Sequence, residues 1–133
     1  MSLTNIDQAF VNEFIAQGFG LDIAHENTDY EPTAGTEFVS IRLLPNDVTP
    51  LSYTNSDETD GIFRIILNWP QGEGAIQAKN KADEIISAFK IGTKLSYSSQ
   101  KVTVTTAYRE IGEAIDGWYR IIVSIGYYAV VSR

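Results

Sequence analysis

The densest hydrophobic patterning lies between Gly61 and Phe89, GIFRIILNWPQGEGAIQAKNKADEIISAF. Ile62 to Trp69 is rich in β-branched and aromatic residues, the types that suit a pleated, half-buried surface. Pro70 has no N–H to donate to a ladder and stops the strand. Gln71, Gly72, Glu73 and Gly74 turn the chain. Ala75, Ile76, Ala78, Ala82, Ile85, Ile86 and Phe89 then recur at helical spacing, with Lys79, Lys81, Asp83 and Glu84 mostly off that face. Strand and helix each need an apolar surface to cover, and packing the helix on the strand's own sheet is the simplest arrangement.

The same patterning organises the rest. Ile6, Ala9, Phe10 and Phe14, with Val11 and Ile15 beside them, form the apolar stripe of a first helix. Thr4 and Asp7 resemble a weak capping box at its start, and Gly18 is a natural stop. Phe19 to His25 alternates as a short strand. Glu26 to Gly35 is a loop of turn formers. Glu37 to Leu44 alternates as a strand, with Val39, Ile41 and Leu43 on one face, and Pro45 ends it. Asn46 to Asp60 is a long polar segment, either an extended hairpin arm or flap, or a solvated loop. Thr93 to Tyr97 and Lys101 to Tyr108 form a hairpin, in which Val102, Val104 and Thr106 share a face. Arg109 to Asp116 is a connection. Gly117 to Val131 is a long last strand in which Gly126 marks a bulge. The order α, β, β, β, α, β, β, β is an α+β pattern rather than a strict βαβ alternation.

Length and charge narrow the function classes. A chain of 133 residues suggests one domain over 1–133. There is no cysteine, which excludes a disulfide framework, a thiolate metal site and cysteine catalysis. No apolar run approaches the roughly 20 residues that span a bilayer. The start MSLTNIDQAF lacks the features of a signal peptide, so a protein kept in the cytoplasm without a membrane partner is expected. The net charge is −7, from 10 Lys/Arg against 17 Asp/Glu. Such a chain gains little from counterion release on DNA or RNA. An acidic surface serves solubility, and it also suits a protein past which DNA must slide without sticking.

Site chemistry is sparse. PQGEGA precedes a helix, where backbone N–H groups bind anions, but no Lys-Ser or Lys-Thr follows and Glu73 occupies the anion's place. His25 is the only histidine, and the acids near it follow no EF-hand spacing. No serine sits in a nucleophile motif. Adjacent acids such as Asp57–Glu58 diverge along the chain. The sequence therefore offers no catalytic residue, cofactor or metal site. Trp69, Trp118 and Tyr119 are the large aromatic anchors. In a regular strand one of Trp118 and Tyr119 points away from the core, and outward aromatics are common at protein–protein contacts. These three, with Tyr53, Asp57, Glu58 and Asp60 of the polar segment, are the candidate assembly contacts.

The order and spacing of several pieces resemble the phage tail terminator-like family, minor tail proteins that cap long non-contractile tails of phages and prophages. The pieces are GTEFVSIRLLP at 35–45, GIFRIILNWPQGEG at 61–74, the helix AIQAKNKADEIISAF with IGTKL, and DGWYRIIVSIGYY at 116–128. The resemblance runs from about Leu21 to Val130. It implies an α+β fold with a single, mostly antiparallel (mixed) β-sheet packed by helices on one face, and a structural role without catalysis. It further implies a homo-oligomeric, hexameric ring on the tail tube protein that ends tube polymerisation and presents a surface to a head-completion or connector protein. The place is the virion tail, assembled in host cytoplasm, with DNA passing through without specific binding. Six copies of a −7 chain carry −42, and part of that charge, including Asp57, Glu58 and Asp60, is expected to line the channel. The long acidic segment at 46–60 departs from the family pattern. The alternatives are a related neck or tail-completion protein, and a small ligand-binding or enzymatic α+β domain using His25.

Overall fold

The computed structural model describes residues 3–24, 31, 36–50, 56–70, 72, 75–115 and 117–132. The elements are α1 (Leu3–Ala16), β1 (Asp22–Ala24), β2 (Phe38–Pro50), β3 (Ser56–Pro70), α2 (Ile76–Ala88), β4 (Lys94–Tyr97), β5 (Gln100–Arg109), β6 (Glu113–Ile115) and β7 (Trp118–Ser132). The strands form one mixed sheet in the order β1-β2-β3-β7-β5-β4, with β6 also on β7. β1 runs parallel to β2, and every other pairing is antiparallel. The α+β architecture expected from the sequence is the one observed.

The period-two pattern of each strand decides which face meets the helices. Val39, Ile41 and Leu43 of β2, Phe63, Ile65 and Leu67 of β3, and Ile121, Val123, Ile125 and Tyr127 of β7 share the core face. Helix α1 brings Ile6, Ala9, Phe10 and Phe14 to it, and α2 brings Ala78, Ala82 and Ile85, with Phe89 just past its end. Phe10 is the hub. Its ring stacks on Phe63 at 4.7 Å and 15°, and lies 5.5 Å from Tyr127 and 6.1 Å from Phe89. Burying a side chain of this size stabilises by roughly 2–3 kcal/mol. Ile15 and Ile76, on the edges of their stripes, stay exposed.

Helix α1 touches both β2 and β4, four places apart in the sheet. With strands about 4.8 Å apart a flat sheet would not allow this, so the sheet curls around the helix. The helices fill the concave side, and no described helix covers the convex side. Polar ties fix α2 in place. Lys81 Nζ donates to Phe19 O at 3.0 Å, and Arg109 Nε donates to Asp83 Oδ1 at 3.0 Å.

Several local expectations are corrected. Helix α1 begins at Leu3, so Thr4 lies within its first turn rather than at the cap. β2 does not end at Pro45: pairing with β3 lapses between Pro45 and Val48 and then resumes to Pro50 opposite Asp57. A bulge is where an antiparallel strand tolerates a proline, because the register shift removes the demand for its N–H. The described part of the segment 46–60 is therefore strand rather than loop, and because 56–60 also pairs with β7 from Tyr128 to Ser132 it continues the sheet as an acidic end of three strands. On the last pair the extra residue is Thr105 in β5, opposite Gly126, rather than in β7. A Cβ at Gly126 would lie 2.2 Å from Thr106 Oγ1, so the glycine makes room for the bulge. The bulge also places Thr106 on the convex face and Ala107 on the core face, breaking the alternation expected of β5. Glu113–Ile115, expected as connection, pairs with β7.

Candidate assembly interface

Two neighbouring features stand out: the convex face and the arm. Register places Phe38, Ser40, Arg42 and Leu44 of β2 on the convex face. Opposite them run Ile62, Arg64, Ile66 and Asn68 of β3, then Arg120, Ile122, Ser124 and Gly126 of β7. Leu44, Ile62, Ile66 and Ile122 are half-buried although no described helix covers them, and Arg42 and Arg64 are exposed directly opposite each other. Tyr108, Tyr128 and Val130 extend the same face and are exposed. At the end away from the arm, the Phe38 and Trp118 rings meet edge to face at 5.0 Å. Beneath them Asn68 is buried. Its Oδ1 accepts from Arg120 Nε at 3.2 Å, and its Nδ2 donates to Ile66 O at 3.2 Å.

The arm, the acidic end of β2 and β3, begins at Gly61 and stays in the sheet, paired with β7 to Ser132. A Cβ there would meet Leu44 O at 2.6 Å, the Tyr127 hydroxyl at 2.8 Å and Pro45 Cα at 2.9 Å. Only glycine lets β3 pass this close to the bulge of β2. Beyond it the carboxylates are held in place by neutral donors. Asp60 Oδ1 accepts from Asn46 Nδ2 at 3.1 Å. Glu58 accepts from Tyr128 Oη at 2.9 Å and from Thr49 Oγ1 at 3.4 Å. The Glu58 carboxylate raises the Tyr128 pKa, by hydrogen bonding first and by its charge as well. An open hollow of about 510 Å³ lies here, lined by Asn46, Asp47, Thr49, Glu58, Asp60 and Tyr128 among others.

The candidate contacts are thus dispersed. Asp57, Glu58 and Asp60 cluster on the arm. Trp118 is half-buried on the convex face. Tyr119, also half-buried, lies on the opposite side, against Gly112, where an added Cβ would come within 2.3 Å of its ring. Trp69 pairs with Tyr119 but is 6 % exposed, inside the core, and its indole Nε1 finds no acceptor among the described residues. Tyr53, His25 and Glu73 lie outside the described residues. Among the described residues no group of three or more His, Cys, Asp or Glu side chains is placed to hold a metal ion, and no helix is long and apolar enough to cross a membrane.

Sequence reasoning missed the convex face. Its signal was present: IFRIILNW and YRIIVSIGYY carry apolar residues at both parities, the mark of strands covered on both sides. Among the described residues there are two amphipathic helices, and both go to the concave side.

Against known proteins, the family model described as phage tail terminator protein matches residues 5–127. A search of curated proteins finds no match. One solved structure, 21 % identical, superposes with a TM-score of 0.77 over 97 % of this chain and 96 % of its own, which supports the fold. With the family model spanning nearly the whole curled sheet and both helices, the chain belongs to the phage tail terminator protein family and is a structural component of the phage tail.

Proposed function

We propose that this chain, as one folded domain, assembles into a hexameric ring on the end of the tail tube, stops tube polymerisation and presents the surface on which the head connector docks. The observation that carries this is the family match over residues 5–127, joined to a sheet whose second apolar face no described helix covers. A strand apolar on both sides is the pattern of a structure completed by something else, and a ring of identical copies supplies that cover by repetition. The net charge of −7 per copy gives the ring an acidic balance, which lets DNA pass without adhering. The chain works by shape and contact, without a reaction step.

The test is tail length. In phage whose copy of this gene is disrupted, tails exceed the parental length and remain unjoined to heads, as read by negative-stain imaging of lysates. Tails of normal length that still join heads would remove the terminator function. Normal tail length with failed joining would instead favour a neck or completion role.

A further inference from the structure

We infer that successive copies of this chain meet sheet edge to sheet edge, the acidic outer edge of β2 in one copy against the basic β4–β5 hairpin of the next, with Lys94 and Lys101 facing Asp47, Glu58 and Asp60. The inference rests on the ring proposal and adds which two surfaces meet.

The sheet has two open edges. β1 accompanies β2 only along 38–40, and among the described residues no strand borders β2 at 46–50. On the other side β4 is the last strand. Charge is segregated between these edges. No Lys or Arg occurs from 43 to 63, the stretch that carries Asp47, Asp57, Glu58 and Asp60. No Asp or Glu occurs from 85 to 109, the stretch that carries Lys90, Lys94, Lys101 and Arg109. Arg109 is held by Asp83, but Lys94 and Lys101 are exposed and make no ion pair among the described residues. Glu58 and Asp60 are held by neutral donors, Tyr128, Thr49 and Asn46, which leave their charge uncompensated.

The strand register puts the two groups at one level. Lys94 lies opposite Thr103, Thr103 opposite Tyr128, and Tyr128 opposite Asp60. Two residues further toward the same end, Ser96 faces Lys101 on one edge and Thr49 faces Glu58 on the other. All of these positions belong to the convex face. On the core face both edges end in apolar side chains, Val48 on β2 and Leu95 and Tyr97 on β4, and Val48 and Tyr97 are exposed. A copy set beside another at the same height therefore meets acid with base on one side of the joint and apolar with apolar on the other. Pro45 and Pro50 deny the edge of β2 a continuous row of donors, so side chains make the joint rather than strand pairing. Like edges repel, which disfavours a two-fold contact. Each copy offers one edge to the copy before it and the other to the copy after, and such a heterologous contact propagates until it closes. Glu58 and Asp60 then belong to the contact between copies rather than to the channel wall.

The chain has no cysteine, so a pair can be introduced cleanly as Thr49→Cys on β2 and Ser96→Cys on β4. The two edges are four strand spacings apart, roughly 19 Å along the sheet, and side chains on a convex face diverge, so no disulfide forms within one copy. Mild oxidation of the purified variant, or of isolated tails carrying it where the chain is single in solution, should give a non-reducing ladder of linked copies reaching six. Adding Lys94→Glu and Lys101→Glu should cut the ladder by roughly tenfold. Further adding Glu58→Lys and Asp60→Lys should restore it, because the charges are then exchanged rather than lost. Thermal melts matching the parent's identify variants that fold. If the fourfold exchange melts early, the single exchange of Lys94→Glu with Asp60→Lys is read in its place. Products that stop at the dimer, a ladder indifferent to the lysine reversal, or a loss that the exchange does not restore would overturn the inference. So would no ladder at all from a sample whose native mass is that of six copies, and that result would leave the ring proposal standing. A single-copy mass even on tail tubes would remove the ring itself, and the inference with it.

Discussion

At the scale of single residues, Tyr127 ties the core to the root of the arm. Its ring is 1 % exposed against Phe10, and its hydroxyl is buried beside Gly61 without a partner among the described residues. Burial, with smaller contributions from the charges of Asp60 and Asp7, pushes its pKa up to about 12 from an ordinary 10.0. The folded state therefore holds the phenolic proton where the unfolded chain releases it. The stability this confers is complete below about pH 10 and is lost as pH rises from about 10 to about 12. A two-unit shift corresponds to about 3 kcal/mol at most. Denaturant titrations of the parent and of Tyr127→Phe across that window should show a steeper loss in the parent. At neutral pH the variant should be at least as stable, since it removes a hydroxyl that makes no hydrogen bond. Equal alkaline slopes would mean the hydroxyl is hydrated in the folded protein.

At the scale of elements, the arm is where sequence and structure part company. Both helices and the core faces of β2, β3 and β7 were legible because amphipathic spacing and strict alternation leave one way to bury Phe10, Val39, Phe63 and Val123 together. The segment 46–60 was legible only as one of two readings, an extended hairpin arm or a solvated loop, because Pro45 and the polar run after it look like a stop. A proline ends a strand only where the ladder asks for its N–H, and the bulge between Pro45 and Val48 removes that demand. Thr105 was hidden for the same reason, since a bulge shifts alternation without marking the sequence. The convex face was half legible: the apolar residues at both parities could be read, but which parity the two helices would claim depends on how the sheet curls. Gly61 is the point at which β3 passes close to the bulge of β2. Gly61→Ala places a methyl against two backbone atoms that have nowhere to move, and overpacking of this kind costs about 2–3 kcal/mol. Thermal unfolding should fall by roughly 5–10 °C. An unchanged melting temperature would show that β2 and β3 separate freely at the root of the arm.

At the scale of the whole molecule, the two faces of the sheet divide the work. The concave side, closed by α1 and α2, holds the fold still. The convex side remains outward and half apolar, with Arg42 and Arg64 at its centre and Glu58 and Asp60 toward one end, and the proposed ring uses surfaces of that kind. The most direct test of the ring is its mass, measured by native mass spectrometry over a range of concentrations, alone and with purified tail tubes. Six copies of a 14.7 kDa chain, about 88 kDa, is the predicted species, in solution or on the tube end. A mass of 14.7 kDa at every concentration, with no added mass on the tubes, would contradict it.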